Sequence, residues 1–253
     1  MKIAFLKDHS LKEFIGGANI TDDIMIQKGI SLGHKIKEFN FKDLKDTKPL
    51  DEFDLIILSN INSFKKEVIE DIIKNKKYLT YNHDYLFCQF RSAQCKMRCK
   101  TKCKPAKIYQ DMYSNSLLNI FLSPLQKSIH KDFFRETMRD AIYIPSPINK
   151  DVYFPDLSIQ QPDAHLYLGT IMDHKGISQI LDYAKGEKGK VFHFAGRPVS
   201  KELMRRIKEK HLYLGNIYHK EVPKLLRKYK YFMINPQWPE PFGRTIIEAM
   251  CSG

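Results

Sequence analysis

An α/β chain of two consecutive Rossmann-like units, each built on a parallel sheet, is predicted by three observations: short apolar runs alternate with helix-length stretches, a proline-rich segment interrupts that rhythm once, and the rhythm then restarts. In the first half, strand-like residues 2–6, 35–39, 55–59 and 78–81 are joined by an amphipathic run at 19–32 and a helical stretch at 65–75. The interruption is Tyr143-Ile-Pro-Ser-Pro-Ile-Asn-Lys-Asp-Val-Tyr-Phe-Pro155, where three prolines hold the backbone extended and forbid a continuous helix. Beyond it, strands at 165–168, 191–194, 211–214 and 231–234 alternate with helices at 176–183, 200–209 and 220–229, and a last helix opens near Phe242. The expected division is therefore a first unit over 1–145, a linker over 146–160 and a second unit over 161–253. In such units ligands gather beyond the carboxyl ends of the strands. The last helix has barely begun when the sequence stops at Gly253, so the second unit reads as incomplete and the chain as truncated.

Composition narrows the function class. The 253 residues have the apolar and charged content of a soluble protein, enough to bury a sizeable core. The opening apolar run is too brief for a signal peptide, and no apolar run approaches the roughly 20 residues that span a bilayer. A cytoplasmic protein, peripheral at most to the inner membrane face, is the expectation. The net charge of +13 favours anionic partners: sugar nucleotides, lipid headgroups or nucleic acid. No RNP, zinc-finger or helix-turn-helix spelling supports specific nucleic-acid binding.

The most informative segment is Pro239-Glu240-Pro241-Phe242-Gly243-Arg244-Thr245-Ile246-Ile247-Glu248-Ala249-Met250-Cys251-Ser252-Gly253, directly after an apolar strand. Glu240 and Glu248 are eight residues apart, about two helical turns, so a loop carboxylate and a helix carboxylate can face one site. Carboxylates accept hydrogen bonds from vicinal hydroxyls, and the amides of Phe242, Gly243 and Arg244 at a helix N-terminus offer a cradle for anions. The segment resembles the E-x7-E signature of family 4 GT-B glycosyltransferases, the glycosyl transferases group 1. Other matches follow in the family's order. Leu166-Tyr-Leu-Gly-Thr-Ile-Met-Asp-His-Lys175-Gly176 is similar to its strand and G-R-x-x-x-x-K-G, Phe194-Ala-Gly-Arg197-Pro198 to its A-G-x-G turn, and Leu212-Tyr-Leu-Gly-Asn216-Ile217 to its next strand end.

The resemblance implies a GT-B fold, two Rossmann-like domains facing across a cleft, and a retaining hexosyl transfer from a nucleoside-diphosphate sugar to a glycan, lipid or small-molecule hydroxyl, as in polysaccharide synthesis. It assigns Glu248 to the ribose hydroxyls, Glu240 to the donor sugar and Lys175 to the diphosphate, where an ammonium supports the charge growing on the leaving group. Asn216 and Ile217 fall where the base is held by backbone. The family's arginine partner of Lys175 is replaced by Thr170, and Arg197 or Arg244 is the expected substitute, Arg197 preferred. In the first unit, Gly16 and Gly17 match the family's glycine loop over the donor phosphate. His83, in Leu79-Thr-Tyr-Asn-His83-Asp84-Tyr85, matches the strand-end histidine that contacts the transferring sugar. Asp84 would orient that histidine or cap the next helix. No covalent nucleophile or general base stands out, and the family requires no divalent metal for transfer.

Cys88, Cys95, Cys99 and Cys103 crowd one lysine-rich stretch, three of them spaced four apart. A four-thiolate structural zinc site and reduced thiols or conditional disulfides are both open readings. The neighbouring Arg91, Lys96, Arg98, Lys100, Lys102, Lys104 and Lys107 read as a patch for an anionic membrane surface or acceptor, or as a solvated loop. Against the enzyme stands first a catalytically inactive protein of the same fold that binds nucleotide sugar or serves as a scaffold, and then a basic nucleic-acid-binding protein, which would bind duplexes of any sequence with steep salt dependence.

Overall fold

The computed structural model describes residues 1–13, 15–88, 91–93, 106–134 and 137–253. The chain divides into two compact units, Met1–Pro147 and Ile148–Gly253.

The first unit is built on six parallel strands in the order β2-β1-β3-β4-β5-β6: β1 Lys2–Leu6, β2 Lys35–Phe39, β3 Leu55–Leu58, β4 Tyr78–Tyr81, β5 Asn119–Phe121 and β6 Ala141–Tyr143. Ile3, Ala4, Phe5 and Leu6 of β1 are all buried, the continuous apolar run expected of an inner parallel strand covered on both faces. The crossovers carry α1 Gly17–Ser31, α2 Lys66–Asn75, α3 Lys107–Asn115 and α4 Pro124–Phe134. Helix α2 meets the sequence expectation, with Val68, Ile69, Ile72 and Ile73 buried at helical spacing.

Helix α1 forms where expected but is not amphipathic in the expected sense. Its buried residues are Asn19, Thr21, Asp22 and Ile26, whereas Ile30 and the following Leu32 are exposed. The polar side chains have partners: Thr21 shares a hydrogen bond with Ser146, and Asp22 accepts one from Ser59 Oγ at 2.8 Å. Strands β5 and β6 have three residues each, too short for an alternation to show in the sequence, and Asn119 in β5 is fully buried among hydrogen-bonding groups.

The second unit carries four parallel strands in the order β10-β7-β8-β9: β7 Ala164–Leu168, β8 Val191–Ala195, β9 Leu212–Tyr213 and β10 Tyr231–Phe232. One apolar cluster joins Tyr167, Ile171 and Phe194 to Ile177, Ile180 and Leu181 of α5 (Ile177–Gly186) and to Leu203 and Ile207 of α6 (Lys201–Lys210). Each fully buried side chain of this kind contributes about 1.5–3 kcal/mol. A second cluster holds Tyr153, Leu166, Ala195, Val222 and Leu226, with Ile148 packed against it. The helix expected over 220–229 is replaced by a 3-10 turn at His219–Glu221 and a short α7, Val222–Leu226. Pro223 lies in the first turn of α7, where its missing N–H is tolerated, and the chain therefore cannot run as one helix from residue 220. The final helix α8, Arg244–Cys251, starts after Gly243.

Candidate donor site

In the second unit the segments leaving β7, β8 and β10 approach one another through glycines. Gly196 has φ +126°, and a Cβ there would stand 1.9 Å from the Gly169 carbonyl oxygen. Gly176, at φ +80°, ends the turn Asp173–Lys175 and opens α5; a Cβ on it would stand 1.7 Å from the Asn235 carbonyl oxygen. Only glycine permits this contact. The same two segments are tied by Gln237 N, which donates to the His174 carbonyl at 2.8 Å. Gly176→Ala is expected to cost about 1–3 kcal/mol through strain at positive φ alone, with more from the clash, and to part these segments. Urea unfolding should show that loss, and an unchanged midpoint would mean the contact is not obligatory.

The approach of the two segments brings together Lys175 and Glu240. The Lys175 ammonium lies 2.6 Å from Glu240 Oε2, with both side chains about three-quarters buried, at 27% and 20% exposure. Trp238, the only tryptophan in the chain, serves both partners. Its indole N–H donates to the same Oε2 at 2.9 Å, and its ring lies 4.7 Å beneath the Lys175 ammonium. His174 packs edge-on against that ring at 5.5 Å, and burial together with the Lys175 charge lowers its pKa below the usual histidine value.

Glu248 has different partners. It sits in α8 at 5% exposure, and Arg244, one turn earlier, donates from Nε to Oε1 at 2.7 Å. The hydroxyl of buried Tyr153 also favours the ionised form of this carboxylate. Burial nevertheless dominates and pushes the Glu248 carboxyl up from the ordinary range, against the opposing pull of Arg244. The Tyr153 hydroxyl is 3.5 Å from His219 Nε2, and His219 is held below its usual pKa by burial and by Arg244. This arrangement presents a positioned carboxylate suited to accepting from a diol.

The remaining expected donor residues lie on the same carboxyl ends. The Arg197 side chain is exposed after β8, and its carbonyl accepts from Ile171 N at 2.9 Å, beside Thr170. The Thr170 carbonyl accepts from the Tyr167 hydroxyl at 2.9 Å. Asn216 and Ile217 follow Gly215 past β9, with Asn216 exposed and Ile217 against the second core cluster. Phe242 and Gly243 precede α8, Gly243 with φ +69°. Arg244 is engaged through Nε with Glu248, whereas the Arg197 side chain is exposed.

Gly16 and Gly17 of the first unit open α1; Gly17 O accepts from Thr21 Oγ1 at 2.9 Å. His83 follows β4, and its Nε2 lies 2.7 Å from Oδ1 of the fully buried Asp22. Asp22, rather than Asp84, thus orients the histidine. Asp84 is engaged by Arg91, and burial raises its carboxyl pKa. Cys88 is buried with a free thiol, while Cys95, Cys99 and Cys103 and most of the lysine-rich run lie outside the described residues. Among the described residues no group of three or more histidine, cysteine or acidic side chains is placed to hold a metal ion, and no helix is long and apolar enough to cross a membrane.

Sequence reasoning missed Trp238, Tyr153, Asp22 and Ser59. Trp238 carried a usable signal, a lone tryptophan two residues before Glu240, and Asp22 carried another, an acid at a helix position that burial would reserve for an apolar residue. Tyr153 carried none.

Residues 149–253 match the profile of the family described as "Glycosyl transferases group 1". A search of curated protein sequences finds no match. Among solved structures, the catalytic domain of starch synthase IV from Arabidopsis thaliana, bound to ADP and acarbose, superposes with a TM-score of 0.69 at 10% identity, over 98% of this chain and 80% of that one. Anabaena Alr3699/HepE, in complex with UDP and glucose, gives 0.67 at 17% identity, over 99% and 78%. An alpha-glucosyltransferase in complex with UDP and a 13-mer DNA containing a HMU base gives 0.63 at 14% identity, over 92% and 71%. At these identities the likeness establishes the fold.

Proposed function

We propose that this chain, whose residues 149–253 match the glycosyl transferases group 1 profile and whose fold is that of GT-B enzymes, transfers a hexose from a nucleoside-diphosphate sugar to a hydroxyl of a glycan, lipid or small molecule, with retention at the anomeric carbon. The observation that carries this reading is the disposition of the two carboxylates of one short segment. Glu240 meets a lysine suited to a diphosphate, and Glu248 is buried and oriented by Arg244.

In the reaction the acceptor oxygen bonds to the anomeric carbon as the bond from that carbon to the diphosphate oxygen breaks. The bonding pair leaves with the diphosphate, and a phosphate oxygen takes the hydroxyl proton. Lys175 stabilises the departing charge, with Arg197 as the second cation in place of the arginine that Thr170 lacks. Glu240 accepts from the sugar hydroxyls and Glu248 from the ribose. His83 is held by Asp22 within the first unit.

Incubating the full chain with UDP-glucose, ADP-glucose or GDP-mannose and a panel of hydroxyl acceptors tests the reading. Expected are nucleotide release and a product with the donor's anomeric configuration by NMR; an inverted product would contradict the retaining assignment. Thr170 favours a second reading, a protein that binds the sugar nucleotide without turnover. Tight donor binding with no transfer to any acceptor would select it.

A further inference from the structure

Lys175 and Glu240 are assigned to different parts of the donor, yet they are paired with each other at 2.6 Å, and Trp238 contacts both. From this we infer that the Lys175–Glu240–Trp238 cluster makes the site discriminate the sugar nucleotide from the free nucleoside diphosphate that transfer leaves behind. The inference rests on the proposed function and goes beyond it to the selectivity of the same site.

A diphosphate arriving at Lys175 meets an ammonium already paired with a carboxylate, and that carboxylate repels it. In a part-buried setting such charges act strongly on each other. A free nucleoside diphosphate has nothing to offer Glu240 in return. A sugar nucleotide brings hydroxyls that donate to the carboxylate and offset the lysine donor turned toward phosphate. Glu240 therefore opposes the product and favours the substrate, and product release is assisted by the group that holds the sugar.

Trp238 is the positioning residue of the cluster. Its indole N–H keeps Oε2 in place while Lys175 changes partner, and its ring face supports the ammonium throughout. Phenylalanine at this position keeps a ring face and lacks the donor.

The test is calorimetry of the full chain with UDP, ADP and GDP, followed by the sugar form of whichever binds, compared across wild type, Glu240→Gln and Trp238→Phe. Glu240→Gln is expected to bind the free diphosphate about tenfold more tightly than wild type while losing the preference for the sugar form. Trp238→Phe is expected to weaken the sugar form severalfold, raising its KM, and to change binding of the free diphosphate by less. Equal or weaker diphosphate binding by Glu240→Gln, with wild type binding normally, would overturn this inference alone. Failure of every chain to bind any of the nucleotides would instead remove the proposed function, and the inference with it.

Discussion

Lys175→Met is expected to lower transfer by two to three orders of magnitude, about 3–4 kcal/mol of transition-state stabilisation, the usual consequence of removing one electrostatic contact to a developing charge. Methionine keeps an apolar stem against Trp238, so the cluster stays packed while the ammonium disappears. The charge on the leaving diphosphate grows toward the transition state, so kcat should fall more than donor affinity. Steady-state kinetics with the sugar nucleotide would show this split. A change below about threefold in kcat/KM would mean that Lys175 does not face the phosphates.

The second large effect concerns stability and the first unit. His130 is fully buried, packed against Tyr85, Phe87, Tyr113, Phe121 and Phe134. Its Nδ1 lies 2.9 Å from the Gln126 carbonyl, and its Nε2 finds no hydrogen-bond partner among the described residues. Burial lowers its pKa to about 3 from an ordinary 6.5. The folded chain thus keeps the ring neutral where the unfolded chain would protonate it. The contribution to stability is complete above pH 6.5 and is lost as pH falls from there toward about 3. At about 1.4 kcal/mol per pH unit, it amounts to roughly 2–3 kcal/mol by pH 4.5. Urea unfolding at pH 7.5 and 4.5 should show His130→Phe losing less stability on acidification than wild type by about that amount. Equal losses would show that this ring does not govern the acid limb.

The fold was legible where burial on both faces forces continuous apolar runs, as in β1 and β3, and where an apolar stripe recurs at helical spacing, as in α2. It was misread where polar groups do the packing. The buried side of α1 carries Asn19, Thr21 and Asp22, and the purpose of Asp22 lies 61 residues away at His83. The 220–229 stretch read as one helix on its apolar spacing, although Pro223 permits helix only from its own first turn onward. For the candidate site, Glu240, Glu248 and Lys175 could be picked out because their chemistry is written locally, in a carboxylate spacing and in a motif. Their partners could not. The pairing of Lys175 with Glu240 spans 65 residues and depends on a glycine with no side chain to hold the two segments apart. Tyr153 reaches Glu248 from the proline-rich stretch, which the sequence presents only as a connection.

Glu248 also gives the site a pH dependence of definite sign. Burial raises its carboxyl pKa, so the folded chain takes up that proton more readily than the unfolded one; the linkage favours the fold at low pH and opposes it as pH rises through the raised value. Ribose binding needs the ionised form. Nucleotide affinity should therefore decline on acidification from a pH above that at which an ordinary glutamate protonates, and a titration series across the acid range would show the displaced midpoint.

The most direct measurement of the donor site is calorimetric titration of UDP, GDP and ADP into the wild-type chain and into Glu248→Ala at neutral pH. The site described here predicts that one nucleotide binds the wild type and loses at least about tenfold in affinity, about 1.4 kcal/mol, when the carboxylate is removed. Binding of equal strength to the two chains, or no binding of any of the three to the wild type at millimolar concentration, would contradict it.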